Sequence, residues 1–155
     1  MKFGLIDRII ELEPKRRIVA VKAVSLAEEY LADHFPTFPV LPGVLMLEAL
    51  VEAGAWLVRE AQDFNRSVIL LQSAKNVTYK SFVKPGNVLT LEVDCKRLDP
   101  ESSDFVGVGR CHDAEMVRAR FGLTHRSVSD YGWRVGSLDQ RLIEDARARY
   151  GLLRQ

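Results

Sequence analysis

The chain reads as an α+β domain in which an antiparallel sheet wraps around one buried central helix. Three observations carry that reading. Val44 to Ala61 is apolar on nearly every side, and a helix that is hydrophobic all round belongs in a core. Downstream of it, across four segments, the apolar pattern turns to short β-rich runs. Those segments are joined by short turn-forming links, which imply antiparallel pairing. A lone apolar helix must then bury itself against that sheet.

Each element follows from its own stretch of sequence. Phe3 to Leu12 carries apolar residues at 3, 5, 6, 9 and 10, the spacing of a short amphipathic helix. Asp7 and Arg8 break its apolar run, and no small-residue cleavage site follows, so it is not a signal peptide. Arg17 to Val24, rich in β-branched residues, predicts a strand. Leu31 to Pro42 holds Pro36, Pro39 and Pro42 without a clear period and predicts a loop. The helix after it would be about 27 Å long at the α-helical rise, enough to cross a small domain. The apolar run Val40 to Val58 has the length of a bilayer span, but Glu48 and Glu52 would be costly in lipid. Val68 to Tyr79, Val88 to Arg97, Phe105 to His112 and Glu115 to Thr124 are the four further strands. Lys84-Pro85-Gly86-Asn87 and Leu98-Asp99-Pro100-Glu101 are turns, and Asp113-Ala114 predicts a tight hairpin. Ser137 to Leu153 reads as a helix with Ser137 as N-cap. Residues 1–155 are thus expected to form a single domain with a helical tail from about residue 127.

Composition narrows the function classes. The 155 residues are 47% hydrophobic and 28% charged, with a net charge of +1, which argues against nucleic-acid binding by bulk charge. Cys95 and Cys111 lack metal-ligand spacing, and Cys111 and His112, adjacent on a strand, would point to opposite faces. No metal site is expected. Free thiols suit a reducing cytoplasm.

The segment richest in chemistry is His34 to Leu50, HFPTFPVLPGVLMLEAL. Its prolines can hold His34 rigidly at low entropic cost. Pro42-Gly43 opens a helix whose first N–H groups lack internal partners and carry partial positive charge. Gly43 lets a substrate approach that backbone closely. Burial in the apolar helix would raise the Glu48 proton affinity, suiting it to general-acid work. Imidazole, backbone donors and a desolvated carboxyl together suit proton abstraction beside a carbonyl. By spacing alone a loop histidine such as His34 is more often structural or solvated than catalytic, and Glu48 could be a structural ion pair or face solvent.

The same segment resembles the active-site stretch of the 3-hydroxyacyl-acyl-carrier-protein dehydratases, the FabZ type of hotdog fold. That family shows a His-Phe-Pro opening, a Pro-Val-x-Pro-Gly-Val-Leu middle and a Glu fourteen positions after the His, as His34 and Glu48 are here. Leu5-Ile6-Asp7-Arg8, followed by Lys15 to Ala20, is similar to its amino-terminal helix and first strand, and Tyr79 to Asn87 to its later turn. The likeness covers about residues 4 to 126.

The resemblance implies a trans-2-enoyl thioester made by dehydration, in fatty-acid or related lipid biosynthesis, on an acyl-carrier-protein or coenzyme A thioester. His34 would take the α-proton, and Glu48 from the partner subunit would protonate the leaving hydroxyl. The Gly43 N–H would polarise the thioester oxygen, with Phe35, Pro42 and Val44 lining the substrate. No cofactor is implied. A homodimer with one continuous sheet is, with a trimer of dimers as a larger form.

Asp33, Thr37 and Glu52 stand where the family commonly has Gly, Gly and a neutral residue. Asp33 could pair with His34 and raise its proton affinity. Glu52, one turn from Glu48, could couple to it or meet Arg59 or Arg66. Three rivals stay open: a non-catalytic acyl-thioester-binding hotdog protein, a thioesterase and an enoyl hydratase. Lys75, Lys80, Lys84, Arg97, Arg118, Arg120 and Arg126 are read as a solvated sheet face in preference to a carrier-protein patch. His112 and His125 are read as ordinary strand residues, and Tyr131 and Trp133 as cover for apolar surface or an assembly contact.

Overall fold

A computed structural model describes residues 4–132 and 136–155; Trp133 lies outside them. Six strands form one antiparallel sheet in the order β1-β2-β4-β5-β6-β3. They are β1 Arg8–Glu13, β2 Arg17–Ala23, β3 Val68–Tyr79, β4 Val88–Leu98, β5 Ser102–Cys111 and β6 Ala114–Arg126. The helix α1, Gly43–Ala61, lies across the sheet, touching β2 to β6, and a second helix α2 spans Leu138–Leu153. This is the hotdog arrangement.

The amino-terminal segment departs from its expected helix. Arg8–Glu13 is a strand paired with β2, and a bulge between Ile9 and Glu11 inserts one residue into it. Ile9 is buried and Ile10 is exposed, and Leu12 then packs against the core. The inward residues are therefore three apart instead of two, so a bulged strand carries helical spacing. His112 also departs from its strand assignment. It sits in the turn between Cys111 and Ala114, at a φ of 52°.

The core face of α1 presents Met46, Ala49, Leu50, Ala53, Leu57 and Val58, all buried. Close approach explains Gly54, where a Cβ would stand 3.0 Å from the Phe121 ring. The opposite face of α1 turns toward α2. Tyr150 stacks on Trp56 at 6.1 Å and meets Phe64 edge-on at 5.5 Å. Ser137 precedes α2 but makes no side-chain capping bond. The acceptor at this end is Asp139, which takes the Ser67 hydroxyl and the N–H groups of Val128 and Ser129. These donors hold its carboxyl down at about 2, the Ser67 hydroxyl foremost. Among the described residues no helix is long and apolar enough to cross a membrane.

Candidate active site

His34 is held by its own loop. Its Nδ1 lies 3.0 Å from the Val40 carbonyl, which can only accept, so Nδ1 carries the proton and Nε2 keeps a lone pair. The Val40 N–H donates back to the His34 carbonyl at 3.0 Å. Within that ring Phe35 and Phe38 exchange backbone bonds at 3.0 and 3.3 Å. The Leu41 N–H donates to the Val83 carbonyl at 2.8 Å, tying the loop to the β3–β4 connection. His34 is half-buried and Asp33 exposed. No Asp33–His34 ion pair forms among the described residues, and the partner of the ring is the Val40 main chain.

The loop runs straight into α1. Pro42 is its N-cap residue, and the Pro42 carbonyl receives the Leu45 and Met46 N–H groups at 3.0 and 3.3 Å. Gly43 and Val44 stand before these donors, where helical N–H groups have no partner within the helix. Gly43 has a second reason to be glycine, since a Cβ there would lie 3.2 Å from the Tyr79 ring. Around this helix start Phe35, Phe38, Val44, Tyr79 and Phe82 are all substantially exposed. Phe38 and Phe82 meet edge-on at 5.9 Å, with the Lys84 ammonium 4.8 Å from the Phe38 ring centre.

Glu48 looks elsewhere. It faces a groove of about 680 Å³ walled by α1 and α2, lined among others by Val51, Glu52, Trp56, Arg59 and Arg149. His34 does not line that groove. One chain therefore unites His34, Phe35, Pro42, Gly43 and Val44 at the loop and helix start, and sets Glu48 in a different recess. Contrary to the expected burial, Glu48 is exposed at the groove mouth in the single chain, because it sits on the groove side of α1. Its partial desolvation there still pushes the carboxyl up, and the Glu52 charge adds in the same direction.

The partner of Glu52 is neither Arg59 nor Arg66. Arg149 of α2 grips it at 2.7 Å, and the Leu5 N–H donates to its other oxygen at 2.8 Å. Arg66 lies instead 3.9 Å from Asp130 and 4.0 Å from Glu101. Local pattern had no means of finding Arg149, which is 97 positions away. Tyr79 was likewise missed, although its register opposite Val117 at the end of β3 sets it near the helix start.

Most strand-borne cations are neutralised. Lys80 and Arg118 both hold Glu115, Arg97 holds Asp104, and Arg126 approaches Glu101 at 3.5 Å. Lys75 and Arg120 face each other in register. His125 is fully buried against the Ser103 hydroxyl at 2.7 Å, and burial lowers its proton affinity. Among the described residues no three His, Cys, Asp or Glu side chains are grouped to hold a metal.

Comparison with known proteins sets this geometry in a family. The FabA-like domain model matches residues 1–115. A 3-hydroxyacyl-acyl-carrier-protein dehydratase FabZ from Anaeromyxobacter is 35% identical over 122 residues, 77% of this chain and 78% of that one. The same enzyme from Ruminiclostridium cellulolyticum is 41% identical over 92 residues, 59% of this chain. The chain spans 65% of the length of that relative and of the Symbiobacterium thermophilum one, just under two thirds. Among solved structures, the ApeI:P dehydratase heterocomplex from Xenorhabdus doucetiae matches with a TM-score of 0.70 at 17% identity, covering 83% of this chain and 86% of that one. A Streptococcus mutans protein bound to acetyl CoA matches with a TM-score of 0.60 at 13% identity, covering 82% and 93%. The molecule is a hotdog-fold protein. More narrowly, the chain belongs to the FabA-like domain family.

Proposed function

We propose that the chain dehydrates 3-hydroxyacyl thioesters to trans-2-enoyl thioesters, on acyl carrier protein or coenzyme A, in fatty-acid or related lipid biosynthesis. The observation that carries this reading is the bond from His34 Nδ1 to the Val40 carbonyl. It leaves Nε2 as a base in a fixed direction beside the start of a helix. Family membership and the curated FabZ relatives support the reaction class.

In this reading Nε2 of His34 removes the proton α to the thioester carbonyl. Negative charge develops on the carbonyl oxygen, where the Gly43 N–H donates to it; losing such a donor costs about 10²–10³ in rate. Glu48 then protonates the β-hydroxyl, the C–O bond breaks, and water leaves with the pair of electrons. The proton on His34 returns to Glu48 through solvent, closing the cycle. The thioester itself stabilises the enolate, so the chemistry asks for no cofactor.

Because Glu48 opens onto a recess that His34 does not line, the acid is assigned to a second copy. The outer edge of β3 supports such a dimer: β3 ends the sheet order, and Leu70 and Leu71 on it are exposed at 44% and 40%. An unpaired apolar edge is a template for another strand. Two free cysteines are consistent with a cytoplasmic site for this work.

The test is enoyl-thioester ultraviolet absorbance with purified protein and 3-hydroxyacyl thioesters of several chain lengths. His34→Ala and Glu48→Gln are each expected to lower kcat by at least about 10²-fold, the low end of a general acid–base contribution. Turnover that survives His34→Ala overturns the mechanism. Tight thioester binding without turnover by the wild-type protein favours a non-catalytic acyl-thioester-binding role.

A further inference from the structure

The groove walled by α1 and α2 holds, around Glu48, charges that the proposed chemistry has not used. Glu48, Glu52 and Arg59 face it from α1, and Asp145 and Arg149 from α2. Arg59 and Arg149 lie 5.3 and 5.8 Å from the Trp56 ring centre, and Tyr150 stacks on that ring from α2. From β3 only the uncharged Ile69 takes part. α2 lies wholly beyond the residues that the family model matches.

Glu48 and Glu52 are one helical turn apart, so their carboxyls are neighbours. Their surroundings are nevertheless unequal. Each oxygen of Glu52 has a donor, Arg149 on one and the Leu5 N–H on the other. No donor to Glu48 is present among the described residues. The two carboxyls therefore differ in how they are held: Glu52 is fixed by both donors, and Glu48 stands one turn away without one.

We propose that Arg149 and Glu52 form a positioning pair for the acid of the reaction: Arg149 clamps Glu52 as a fixed anion beside Glu48, and the balance of the two charges tunes how readily Glu48 gives up its proton. The proposal rests on Glu48 being that acid. Partial burial first, and then the Glu52 charge, favour the protonated form of Glu48. The tail beyond the matched region thereby acts on the reaction without touching substrate.

The signs of two substitutions separate this from a merely structural role. Glu52→Gln removes the anion and leaves both guanidinium groups, so the Glu48 titration moves down, by about one pH unit for a close unit charge. Arg149→Met removes a cation and leaves the Glu52 carboxylate on the Leu5 N–H, so the titration moves up. Arg149→Lys keeps the charge and restores the wild-type value. Glu48 is followed by ¹³C NMR of labelled glutamate carboxyls in the full chain, assigned by its loss in Glu48→Gln. The limb of the kcat/KM profile that follows Glu48 is expected to move in parallel. One unit downward leaves about tenfold less protonated Glu48 above its pKa. Unmoved titrations, or shifts of the same sign in Glu52→Gln and Arg149→Met, overturn the proposal. Full turnover by Glu48→Gln overturns the functional reading instead, and the NMR shifts stand or fall independently of it.

Discussion

At the scale of single residues, the helix start is crowded. The Tyr79 ring packs against Gly43 where any side chain would intrude at 3.2 Å. Gly43→Ala is therefore expected to push the ring aside and lower kcat/KM by about tenfold, a barrier cost of about 1.4 kcal/mol. Tyr79→Ala in the same chain should restore much of that loss, and steady-state kinetics of the two single variants and the double variant check the coupling. His34, Gly43 and Glu48 were all visible in the sequence, because a proline-stiffened histidine and a carboxyl in an apolar helix are conspicuous by type and spacing. The partner of Glu52 was not, since Arg149 comes to it through the folding of a remote helix. Arg59 and Arg66 were nearer in sequence, but Arg59 shares the groove without an ion pair to Glu52 among the described residues, and Arg66 turns to Glu101 and Asp130. The partner of His34 was equally invisible, because a backbone carbonyl carries no signature in residue type.

At the scale of elements, legibility followed regularity. The strands from Val68 onward and the helix ending at Ala61 were readable because period and turn residues agreed. β1 was not, because its bulge spaces Ile9 and Leu12 as a helix would. The end of α2 was placed correctly while its anchoring was not: Asp139 gathers donors from Ser67, Val128 and Ser129 in place of a Ser137 cap. β3 carries the prediction at this level. Charges blunt strand edges, so Leu70→Lys with Leu71→Lys should leave a folded monomer without turnover. Sedimentation velocity with circular dichroism checks it. A wild-type protein that is itself monomeric and fully active would refute the edge assignment.

For the whole molecule, the separation of His34 from the Glu48 recess makes subunit mixing informative. Co-refolded His34→Ala and Glu48→Gln chains should form heterodimers in which one of two sites has both native groups. Random pairing gives half heterodimers, so about a quarter of wild-type turnover should return in a symmetric dimer. No recovery would place both groups of a site in one chain. The clamp at Glu52 also has a kinetic consequence. It joins Leu5, 47 positions away, to Arg149, 97 positions away, so it closes only after nearly all the chain is in place. Contacts of such long range belong late on the folding path and outside its nucleus. Arg149→Met should then steepen the loss of native molecules with time, speeding unfolding several-fold while the refolding rate hardly changes. A chevron plot of the two rates would read the clamp as a lock on the finished fold that takes no part in building it.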